Sequence, residues 1–177
     1  MNGHRSGDLE SLANPSYLLA LLLVVTPLVD LIANVWPIRL GDVGWRYGAV
    51  GVASGYVITP LLGIALACFI GVALRQRVVL RALVGVCLAV AVVLVIASID
   101  FVMDAMQLRH TVPTTTPLAR WSFDVGAAKA LFKHLSGAVA LVWLGLGTRR
   151  ALRSISSVNG ERASTPPLVA RRSVPGQ

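Results

Sequence analysis

The sequence predicts an all-α, polytopic membrane protein: four transmembrane helices in an antiparallel bundle, with both termini cytoplasmic. Three observations predict it. Of the 177 residues, 55% are hydrophobic and only 14% charged, whereas a soluble domain of this size carries more charge and shorter apolar runs. The apolar residues gather in four blocks, each near the roughly 20 residues that cross about 30 Å of hydrocarbon. Arginines flank those blocks instead of forming a patch of their own.

Residues 1–15 are a polar N-terminal segment. Asn14-Pro15-Ser16 supplies a helix start, because proline is tolerated in the first helical turn. The first span is expected at about 16–35, kinked at Pro27 and closed by Trp36-Pro37 at the interface. Its apolar run passes through Pro27 and Asp30 to Trp36 without a small-residue cleavage site. It is therefore expected to persist as an anchor and not to be removed as a signal peptide.

The glycine-rich stretch Ile38 to Gly48 reads as a loop, and the second span follows at about 49–74 with Pro60 near its middle. Arg75, Arg77 and Arg81 bracket a tight connection to the third span, about 79–106. A second loop carries Pro113-Thr-Thr-Thr-Pro117, and the fourth span covers about 122–147. The transmembrane domain is thus 16–148. Residues 149–177, rich in Ser, Pro, Gly and Arg, have the composition of a disordered basic tail. Trp36, Trp45, Tyr47 and Trp121 fall where amphipathic rings favour the headgroup region.

Positive charge near the span ends sets the orientation. The second connection has Arg75, Arg77 and Arg81, and the segment after the fourth span has Arg149, Arg150 and Arg153. Arg39, Arg46, Arg109 and Arg120 are spread over the two longer loops opposite, with Lys129 and Lys133 inside the fourth span. The bias favours both termini in the cytoplasm, and an even number of spans, which puts them on one side, agrees with it. The net charge of +8 is explained by topology, since no basic stretch interleaved with aromatics marks a nucleic-acid partner. The expected surroundings are the lipid bilayer of a bacterial cytoplasmic membrane, with an integral membrane protein or a second copy as partner.

Acids inside such helices call for a reason. Asp100 and Asp104 share one face near the end of the third span, and Lys129 and Lys133 share one at the start of the antiparallel fourth. At 1.5 Å per residue Asp100 lies about 28 Å above Arg81, and Lys133 about 24 Å above Arg149. One reading is a structural charge clasp, Asp104 to Lys129 and Asp100 to Lys133. The other is a proton or cation site lined by those acids, with Asp30 as a third member. Asp30 lies deeper, with Tyr56, Thr59, Lys133 and His134 as possible partners.

Weaker signals surround these. Gly63, Ala67 and Gly71 recur at intervals of four, a spacing that allows close helix approach within the chain or between copies. Cys68 and Cys87, each about six residues from the same connection, read as small packing residues. His110 and His134 with Asp104 make a poor ligand set for a metal. Gly48, Gly51 and Gly55 lie at helix spacing, not in a nucleotide fingerprint. No catalytic, cofactor or metal site is expected.

The segments Trp36-Pro37, Trp45-Arg-Tyr-Gly48 and Thr59-Pro-Leu-Leu-Gly63, followed by an arginine-flanked third helix, resemble a pattern in uncharacterised bacterial four-helix membrane proteins. They are also similar, more loosely, to cyanobacterial membrane proteins accessory to hormogonium polysaccharide secretion, over roughly residues 17–109. The resemblance implies an accessory envelope role and carries over no catalytic residue. The short basic tail departs from it, as does the lack of any large soluble or coiled-coil region. The expected function is a non-enzymatic accessory or assembly subunit of a membrane complex. The rival is a small oligomeric proton- or cation-coupled transporter using the intramembrane aspartates.

Overall fold

The computed structural model of the chain describes residues 4–111 and 116–164. Among the described residues there are five α-helices and no strand: α1 (His4–Val35), α2 (Val43–Tyr56), α3 (Ile58–Ala73), α4 (Arg77–Thr111) and α5 (Pro117–Ser164). Three helices are long and apolar enough to cross a membrane, and the bent pair α2–α3 makes a fourth if it counts as one span.

Helix ends depart from expectation in ways that local chemistry explains. α1 continues upstream of Pro15 to His4, because Leu9-Glu-Ser-Leu-Ala13 favours helix and proline removes only one backbone bond. Helix also begins at Val43 and not near 49, since Asp42 caps it. One oxygen of that carboxylate accepts from Gly44 N at 2.8 Å and Trp45 N at 3.2 Å, two donors the first turn would leave unpaired. Arg46 and Tyr47, expected in a loop, are thereby fixed on a helix.

The second expected span is broken. α2 and α3 meet at Val57 with a 45° bend. Pro60 lacks an N–H and its ring presses on the carbonyl four residues back, which deflects the axis at Tyr56 and Val57. α3 ends in a backbone turn in which Arg75 N donates to Val72 O and Gln76 N to Gly71 O. That is the paired-bond C-terminal motif usually completed by glycine; here Arg75 takes the left-handed position at φ 53°.

α5 starts at Pro117 with Thr116 Oγ1 accepting from Ala119 N at 3.3 Å. It then runs on to Ser164, so residues 149–164, expected to be disordered, are helical. Arg149-Arg-Ala-Leu-Arg153 are strong helix formers that carry the helix on, and it continues through Gly160. At about 72 Å long, α5 must project well past the hydrocarbon. Residues 112–115 of the threonine-rich turn, and 165–177 of the tail, lie outside the described residues.

α4 and α5 form the long antiparallel pair, while α1 packs on α3 and α2 and reaches neither α4 nor α5. Ile64, Cys68, Cys87, Ala91 and Leu141 make the core where α3, α4 and α5 meet. Gly63 lets α1 approach: a Cβ there would stand 2.7 Å from Ala20 O and 2.9 Å from Val24 Cγ2. Gly71 receives Leu80, whose Cδ2 would be 3.0 Å from a Cβ. Both small residues therefore serve packing within the chain.

Candidate functional site

The polar residues collect at the end of the bundle where α1 turns into α2 and α4 approaches α5. Once Asp42 has started α2, consecutive residues point to two different helices. Arg46 reaches α4: its Nη2 donates to Asp104 Oδ1 at 2.7 Å and its Nε to Asp104 Oδ2 at 3.0 Å. Its Nη1 donates to Leu40 O at 2.9 Å, so one guanidinium holds the incoming loop as well. The Asp104 side chain is 5% exposed and that of Arg46 36%. The geometry is the two-pronged one that a lysine cannot make.

Tyr47 stacks between α4 and α5. Its ring centroid lies 4.8 Å from Phe101, with planes 7° apart, and 5.0 Å from Phe123, 15° apart. Trp45 turns back on α1, its indole N–H donating to Val35 O at 3.0 Å. At the rim, Arg109 Nη2 contacts Asp124 Oδ2 at 3.3 Å, linking α4 to α5. Trp36 and Trp121 are exposed, as suits interfacial rings, whereas Trp45 and Tyr47 are half-buried and join helices.

The charge clasp expected from the four-residue spacings takes a different form. Asp104 pairs with Arg46 and not with Lys129, and neither ion pair among the described residues includes Lys129 or Lys133. Equal spacing fixes which residues share a face, but not which neighbour that face meets. The buried face of α4 carries Phe101 and Asp104 toward α2, while Asp100 lies at its exposed edge, close enough to Arg46 to attract it. Lys129 is exposed and Lys133 half-buried, next to the inward-facing Ala130 and His134.

Asp30 sits elsewhere. It lies on the outward side of α1, between exposed Val29 and Leu28 before it and Ile32 after it. Its backbone carbonyl accepts from Asn34 Nδ2 at 2.8 Å, and the same amide lies 3.1 Å from Tyr56 Oη. No described residue pairs with its carboxylate. Lys133 and His134 belong to α5, which α1 does not touch.

Four buried or half-buried polar side chains along the spans turn to their own backbone. Ser98 donates to Leu94 O, Thr148 to Leu144 O, Ser54 to Gly51 O, and His134 Nδ1 lies 2.8 Å from Ala130 O. Cys68 and Cys87 are both buried in the core, as free thiols. No group of three or more His, Cys, Asp or Glu able to hold a metal occurs among the described residues.

Sequence reasoning missed Arg46, Phe101 and Phe123. The available signal was Asp42 as a cap: a helix begun at Val43 places Arg46 and Tyr47 in its first turns.

Fold and polar end together define a multi-pass helical membrane protein whose charged and aromatic residues bind helix to helix. No protein-family model matches the chain, and no curated protein or solved structure matches it.

Proposed function

We propose that this chain is a non-enzymatic subunit of a membrane complex, accessory to envelope machinery. It spans a bacterial cytoplasmic membrane four times with both termini in the cytoplasm. The observation that carries the reading is Asp30. A carboxylate facing lipid within an apolar helix is costly unless a partner meets it, and no described residue pairs with this one. A transmembrane segment of another protein, presenting a cation or hydrogen-bond donor, would supply that partner. The open flank of α1 is available for that segment, because only α2 and α3 cover the other side.

The carrier reading is less well supported. Asp104 is occupied by Arg46, and Asp30 and Asp100 lie on helices that do not touch, so the three acids line no common path. The arginine bias favours the topology, with Arg75, Arg77 and Arg81 on the side of the termini.

Affinity purification from native membranes tests the reading. The wild-type chain should bring down a stoichiometric membrane protein, and Asp30→Leu should lose it while remaining folded. Asp30→Asn keeps size and hydrogen bonding, and should retain folding, partner and cellular function. A folded Asp30→Asn protein that keeps its partner but fails to complement a deletion strain would put the carrier first. External labelling of a cysteine at position 76 would refute the topology.

A further inference from the structure

A cavity of about 360 Å³ lies in the middle of the bundle, within the range of about 300–1,000 Å³ typical of small-molecule sites. The broken α2–α3 span creates it. Val57 and Pro60 at the bend form part of the wall, together with Ala97 of α4 and His134 of α5. Leu28 of α1 and Val93 of α4 also line it and are exposed on the outer surface. Since α1 and α4 do not touch, the cavity opens sideways between them, toward lipid.

The walls are apolar apart from Tyr56 and His134. His134 is 2% exposed. Its Nδ1 lies 2.8 Å from Ala130 O, and a carbonyl oxygen only accepts, so Nδ1 carries the proton. In a neutral imidazole the remaining nitrogen, Nε2, is then an acceptor. Nε2 has no hydrogen-bond partner among the described residues, yet no side-chain N or O atom is both sealed from open space and unpaired. Nε2 therefore reaches open space, and the space His134 lines is this cavity. A lone-pair acceptor in an apolar chamber is costly unless a donor meets it.

We propose that the cavity binds a membrane-soluble alcohol or phenol, whose hydroxyl donates to His134 Nε2 and whose hydrocarbon body fills the apolar walls. The polarity selects the class. A ketone or ester oxygen offers no proton to Nε2, and an ionised headgroup would be left without a countercharge. Entry from the bilayer between α1 and α4 suits a ligand dissolved in lipid. The site is independent of Asp30, which lies on the outer face.

The test uses the full chain in phosphatidylcholine nanodiscs with ¹⁵N-labelled histidine, and 1-decanol against decane as probes. His4→Gln and His110→Gln assign the resonances of the three histidines, and His110, exposed at the end of α4, reports nonspecific effects. Decanol should move the His134 Nε2 resonance upfield and saturably, as hydrogen-bond acceptance requires, while decane should not. Ala97→Leu adds bulk to the chamber wall and should abolish the response. Equal responses to both probes would overturn recognition of the hydroxyl. No response to decanol, or a full response in Ala97→Leu, would overturn the site itself.

Discussion

The two ends of the bundle are held by different chemistry. At the α1–α2 and α4–α5 end, side chains do the joining: Arg46 to Asp104 and Leu40, and Tyr47 to Phe101 and Phe123. At the α3–α4 end a backbone turn at Arg75 and Gln76 joins the two helices, with Leu80 against Gly71, and a side-chain bond, Tyr17 Oη donating to Gln76 Oε1 at 2.8 Å, ties α1 to that turn. Connection length explains the contrast. Residues 74–76 leave α3 and α4 little freedom, so the turn alone sets their geometry. Residues 36–42 and 112–116 are longer links, and cross-helix side chains must supply what the chain connection does not. Lipid gives apolar surface little reason to associate, which leaves polar and stacking contacts to specify the arrangement.

The largest effect should come from breaking the ion pair. Arg46→Ala leaves Asp104, whose side chain is 5% exposed, as an unpaired acid, and the greatest loss of stability in this set is expected there. Asp104→Ala in the same chain should recover a good part of it, because the stranded charge goes too. Arg46→Lys should fall between, keeping charge but losing the fork. Reversible unfolding in detergent micelles gives all three values. Strictly additive losses for Arg46→Ala and Asp104→Ala would mean that the two residues do not act as a pair.

Next comes the aromatic stack. Tyr47→Ala removes both ring contacts, each worth about 0.5–1.5 kcal/mol beyond burial, so roughly 1–3 kcal/mol should be lost. Tyr47→Phe keeps the rings and should change stability little. Gly63→Ala probes helix approach away from both ends. Its Cβ would meet the Ala20 carbonyl, which is backbone and cannot swing away. Forcing α1 outward should cost about 1–3 kcal/mol. A neutral Gly63→Ala would show that α1 is loosely held, and that the contrast between the ends matters less than the mobility of the outer helix.

Much of this was legible in the sequence and some was not, for identifiable reasons. Apolar runs near membrane length disclosed the spans, because lipid permits few other uses for them. The break at Val57 was half legible: Pro60 was visible, but a proline can kink a span or divide it, and packing decides. Spacing placed Asp100 and Asp104 on a common stripe of α4, yet their environments differ, since Asp104 is buried and bound by Arg46 while Asp100 is exposed. That outcome depends on the rotation of α4, which the pattern leaves open. The partnership of Arg46 was hidden for another reason: its segment read as loop until the Asp42 cap made it helix.

The smallest effect should appear at the backbone-built end, and with the opposite sign. Arg75 holds φ 53°, a left-handed conformation that costs a side-chain-bearing residue on the order of 1 kcal/mol and glycine almost nothing. The turn's two bonds, Arg75 N to Val72 O and Gln76 N to Gly71 O, are backbone to backbone and need no arginine side chain. Arg75→Gly should therefore raise stability by up to about 1 kcal/mol, offset in part by the freedom glycine adds to the unfolded chain. Arg75→Val should lower it, because a β-branched side chain tolerates that conformation least. Unfolding measured beside Arg46→Ala makes the contrast quantitative: removing one arginine destabilises strongly, and removing the other stabilises slightly. If Arg75→Gly were instead as damaging as Arg46→Ala, the α3–α4 end too would depend on a side-chain charge, and the difference between the two ends would not stand.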